Sequence, residues 1–113
     1  MVSELKNKSV LIELLVANPP TRKCREFIDF VMRNTKQYGD LVDIKIYRKG
    51  TKIPPGYSPS AGLLKAAKRS AIPAIIINSE VSFVGTIPKE EDFKKKIEDA
   101  MKREGLYGEY ITR

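Results

Sequence analysis

An α/β three-layer sandwich on a four-stranded mixed sheet is the fold the sequence predicts, in the element order βαβαββα. Three observations carry it. Residues 9–17 (SVLIELLVA) form an apolar run without alternation, as a strand covered by helices on both faces requires. Apolar residues then recur at Cys24, Phe27, Ile28, Val31 and Thr35, the spacing of one helix face. Residues 74–78 (AIIIN) and 81–85 (VSFVG) are two apolar runs parted by Ser79 and Glu80, which a hairpin explains. The first half therefore needs a parallel crossover, and the second supplies an antiparallel pair.

Each element has its own punctuation. Asn18-Pro19-Pro20 ends the first strand, because proline cannot continue a ladder. Lys23, Arg25, Glu26, Asp29, Arg33 and Lys36 make the polar side of the helix that follows. Tyr38-Gly39-Asp40 is expected to end it, with glycine just past the last turn. Residues 41–47 (LVDIKIY) alternate and predict a strand with one solvated face, near a sheet edge. Residues 48–57 read as a polar loop containing Pro54-Pro55-Gly56. Ser58-Pro59 reads as a helix cap followed by proline at the first helical position, with Leu63, Leu64, Ala67 and Ala71 as the apolar stripe. Pro88 is expected to open the last helix, with Glu90, Glu91 and Asp92 in its first turn and Gly105 as its stop. Phe93, Ile97, Ala100 and Met101 are its core face. A core of about residues 9–104 and a tail of 105–113 then make one domain spanning 1–113.

Composition narrows the chemistry. Cys24 is the one cysteine and there is no histidine. An intrachain disulfide, a cysteine zinc site and the His-dependent nucleophile pairs are thereby excluded. Neither a cofactor nor a metal site is expected. The longest apolar run, residues 11–17, is interrupted by Glu13 and too short to span a bilayer. The start, Met1-Val2-Ser3-Glu4-Leu5-Lys6, lacks the order of a signal peptide. A cytoplasmic protein without a membrane partner is the expectation. The net charge of +7 raises affinity for phosphate polyanions. It is read as spread over solvated faces such as Lys94-Lys95-Lys96 and Lys102-Arg103, so nucleic acid is not an expected partner. Tyr107 and Tyr110 near Arg113 are too few to change that. A single glutamine among plentiful Lys, Glu and Ile leans towards a thermophile source.

Thr21-Arg22-Lys23-Cys24 opens a helix after a strand and a turn, and Ile72-Pro73 leads into AIIINSEVSFVG. Over about residues 9–101 this resembles thioredoxins and glutaredoxins. Their loop reads Cys-x-x-Cys; here Thr21 replaces the attacking cysteine, and Asn18-Pro19-Pro20 stands where the family has an aromatic residue. The resemblance implies that Pro73 is cis and faces the redox loop, with Cys24 the counterpart of the resolving thiol. It implies that Glu13 stands in the place of a buried acid that relays protons to that thiol. It also implies a peptide-docking edge at the backbone of Ile72 beside Pro73.

The residues weigh these roles without deciding them. Burial on the Phe27/Ile28/Val31 stripe would raise the Cys24 pKa, whereas the helix N-terminus with Arg22, Lys23 and Arg25 would lower it. Thr21 serves as an N-cap for the amide of Lys23 or Cys24, or as a polar partner of a thiolate. Glu13 needs a partner, a lysine being the plain choice, or a raised pKa. Two functions follow. One is thiol-disulfide redox through Cys24, by mixed disulfide with a protein or peptide partner, supported by Thr21 and Glu13. The alternative is a non-enzymatic protein-binding module using the groove beside Pro73. Dithiol reductase action is excluded, because one cysteine cannot release its own mixed disulfide.

Overall fold

The computed structural model describes residues 9–112 apart from 54 and 57. The N-terminal residues read above, Pro54 and Tyr57 of the polar loop, and Arg113 lie outside the described residues. The apolar run becomes β1 (Val10–Val16), followed by α1 (Arg22–Thr35), a 3₁₀ segment (Lys36–Leu41) and β2 (Val42–Arg48). Then come α2 (Ala61–Lys68), β3 (Ala74–Ile77), β4 (Glu80–Val84), α3 (Glu90–Glu104) and α4 (Tyr107–Ile111). The sheet order is β2-β1-β3-β4, with β1 parallel to β2 and antiparallel to β3, and β3 antiparallel to β4. This is a mixed α/β sheet with helices on both sides.

β1 explains the layering. As an interior strand it sends alternate residues to opposite faces. Val10, Ile12 and Leu14 enter a core with Phe27 and Val31 of α1 and Phe93 and Ile97 of α3. Leu15 enters a second cluster with Tyr47, Ala74, Ile76 and Leu63 and Ala66 of α2. So α1 and α3 cover one face, and α2 covers the other. Parallel β1 and β2 and antiparallel β3 bring the C-terminal ends of β1 and β2 and the N-terminal end of β3 to one end of the sheet.

Several local expectations shift. α1 stops at Thr35, and Gly39 (φ 56°) lies inside the 3₁₀ segment rather than closing the helix. The 3₁₀ turn buries Tyr38, whose hydroxyl donates to Glu98 at 3.1 Å while its ring packs 4.9 Å from that of Tyr110. The cap of α2 is Ser60, not Ser58; its side chain accepts from the Leu63 amide. Leu64 is exposed, because an eight-residue helix turns one narrow face inward and Leu63 and Ala66 fill it. On edge strand β2, Tyr47 is buried by the α2 layer, whereas Ile46 is exposed. The hairpin turn is Asn78-Ser79, both with positive φ, the type I′ pattern that suits strand twist. α3 begins at Glu90 after Lys89, and Gly105 (φ 76°) ends it. The tail forms α4 rather than remaining irregular.

Candidate functional site

Residues 17–21, with Pro19 and Pro20 among them, separate β1 from α1, and the turn they make delivers Thr21 to the N-cap. Its hydroxyl accepts from the Cys24 amide at 3.2 Å, satisfying one of the donors a helix start leaves open. Cys24 is thus the third residue of α1. Its Sγ accepts from the Ala17 amide at 3.4 Å. Arg25 closes the turn, its guanidinium donating to the Pro20 carbonyl at 3.0 Å and its amide to the Thr21 carbonyl at 3.0 Å.

Electrostatics at the sulfur are opposed. Burial, the largest single influence, pushes the thiol up; the Ala17 amide, hydrogen bonding from Thr21 and the Arg25 charge together outweigh it. The Cys24 pKa therefore lies below the ordinary thiol value. The side chain is also fully enclosed, at 0% exposure. The surroundings stabilise the thiolate relative to an ordinary thiol, while the folded chain leaves the sulfur no exposed surface.

Glu13 is placed elsewhere. Alternation along β1 sends it to the α2 face, away from Ile12 and Leu14, which pack with α1. There it is fully buried, and its two carboxylate oxygens accept from the amide of Ser60, at 2.9 Å, and from the Ser60 hydroxyl. This sets Glu13 against the start of α2, where it takes the amide and hydroxyl of the helix cap Ser60. Among the described residues no hydrogen bond joins Glu13 to the thiol: Ala17, Thr21 and Arg25 act on Cys24, and Glu13 holds Ser60.

Ile72 and Pro73 precede β3 at the end of the sheet where Ala17 leaves β1, since Leu15 pairs with Ala74. The Ile72–Pro73 peptide bond is cis, as is Asn18–Pro19. Pro73 is buried and its carbonyl accepts from the Gly85 amide at 2.9 Å. Ile72 is half-buried, and among the described residues no hydrogen bond engages its amide or carbonyl. Two surface grooves lie apart from this end: about 430 Å³ between Phe83 and α3, and about 410 Å³ along α2.

Sequence reasoning missed Ala17 and Ser60. Both act through backbone amides, which every residue has, so only three-dimensional register reveals them. The chain matches no protein-family model and no curated protein.

Proposed function

We propose that this is a thioredoxin-like protein whose chemistry is thiol-disulfide exchange at Cys24, forming a mixed disulfide with a protein or peptide partner. The observation that carries the reading is the surroundings of Sγ: the Ala17 amide that donates to it, the adjacent Thr21 cap and the Arg25 charge favour an anion where an ordinary core cysteine would have none. The strand order β2-β1-β3-β4, with a thiol at the head of the first crossover helix, supports the family reading. In the step, the Cys24 thiolate attacks one sulfur of a partner disulfide and that S–S bond breaks. The leaving sulfur departs as a thiolate and takes a proton from solvent. Cys24 remains in the mixed disulfide until an external thiol displaces it, since the chain has no second cysteine.

The full enclosure of Cys24 favours a second reading, a non-enzymatic module that docks an extended peptide along Ile72. Alkylation of the native protein by iodoacetamide across pH separates the two. The redox reading expects a single pH-dependent phase with a midpoint below about 8.5, the ordinary thiol value. A thiol that stays unreactive until denaturant is added supports the module.

A further inference from the structure

Between Asp43 and Glu80 the chain carries seven basic residues and no acidic one. That segment alone accounts for the net charge of +7, and the remaining charges balance. This corrects the reading of a charge spread over the whole chain. The fold gathers the segment, because it comprises most of β2, the following loop, α2 and β3. Arg48, Lys49, Lys52, Lys65, Lys68 and Arg69 are all exposed, and none makes an ion pair among the described residues. The Lys49 ammonium donates to the Ser70 hydroxyl, which brings the start of the loop against the end of α2, beside Lys68 and Arg69. Lys65 and Arg69 then line the 410 Å³ groove with Gly62 and Ser79. The acid nearest the middle of this layer, Glu13, is buried and turned to Ser60. Asp43 sits at the opposite end of β2, beside Lys45, and Glu80 closes the far side of the groove.

We propose that the α2 face, with the loop after β2, binds the phosphate backbone of a nucleic acid independently of sequence. The proposal does not rest on Cys24. Lys49, Lys65, Lys68 and Arg69, gathered around α2 and the start of the loop, raise local anion concentration in a way that scattered lysines do not. Lysines in the last turn of α2 also complement its dipole, but Lys49 and Lys52 lie outside the helix and have no such role. A lipid surface fits less well. α2 turns Leu63 and Ala66 into the core and offers solvent a single large apolar side chain, Leu64, so it has no broad apolar face to insert.

The test is binding of the full chain to single-stranded and duplex oligonucleotides at low and physiological salt, with anionic lipid vesicles alongside. The expected result is binding whose affinity falls steeply with salt for one or both nucleic acids, and weaker association with vesicles. A variant with Lys65, Lys68 and Arg69 changed to Gln should bind at least about tenfold more weakly at low salt, and its salt slope should shrink by roughly two to three. Lys49→Gln with Lys52→Gln leaves α2 untouched and should act in the same direction. Changing Lys94, Lys95 and Lys102 to Gln removes equal charge from the other face and should have a much smaller effect. No binding at low salt, equal loss from both triple variants, or tighter binding to vesicles than to either oligonucleotide would each overturn the proposal.

Discussion

The neighbours that shield the Cys24 sulfur are also those that favour its anion. Because the folded pKa lies below the unfolded one, the unfolded chain holds a proton that the folded chain lacks in the interval between them. Stability from this group is therefore absent below the folded pKa, grows through the interval, and is complete above the unfolded value of about 8.5. Denaturant titration of the wild type and Cys24→Ala should show a stability difference that widens as pH rises towards the ordinary thiol value of about 8.5 and levels off above it. A constant or narrowing difference would contradict the donor set. Thr21→Val removes the cap and the hydroxyl that helps hold the thiol's pKa down; it should cost about 1 kcal/mol of stability and raise the thiol's apparent pKa. Thr21 also marks the missing nucleophile. Insulin reduction with dithiothreitol should show no turnover for the natural chain and measurable turnover for Thr21→Cys. Turnover by the natural chain would mean that one thiol suffices, against the balance of the exchange step.

Between elements, close approach decides more than pattern does. A Cβ on Gly62 would lie 2.1 Å from the Ser79 carbonyl oxygen, so the start of α2 packs directly on the hairpin turn. Gly62→Ala should cost about 1–3 kcal/mol or more and lower the melting temperature accordingly, as overpacking against backbone does. Glu13→Ala strips the partner from the Ser60 amide and should cost about 1–3 kcal/mol. The Cys24 alkylation profile should stay unchanged in that variant, since Glu13 hydrogen-bonds Ser60; a shifted midpoint would support a relay role for Glu13. The strands were legible from sequence because burial on two faces writes itself as SVLIELLVA and AIII. The helix ends were not. Ser58-Pro59 has better cap chemistry than Pro59-Ser60, yet Ser60 wins because a buried carboxylate 47 residues away claims its amide and hydroxyl. Thr21 and Cys24 were legible together since an N-cap and the third helical residue are local in the chain. Glu13 could be read as a buried acid, but its direction depended on which face of β1 α2 covers.

Over the whole molecule, the two sides of the sheet have diverged in character. One side carries α1, α3 and α4 over the larger apolar core, including the Phe30–Phe93 edge contact at 5.1 Å. The other has one short helix, a smaller core and the exposed cations of α2, Lys65 and Lys68. The thiol lies at the end of the sheet where β1 leaves for α1, with the five-residue turn 17–21 tied to α1's first turn through Ala17–Cys24 and Pro20–Arg25. No helix among the described residues is long and apolar enough to cross a membrane. The claim that most needs testing is that the folded chain exchanges disulfides at this enclosed sulfur. Intact mass spectrometry after incubation of the native protein with glutathione disulfide, at several pH values, addresses it directly. The account expects one adduct per chain, on Cys24, forming under native conditions with a midpoint below that of an ordinary thiol and removed by added thiol. An adduct that appears only when the protein is unfolded would contradict it.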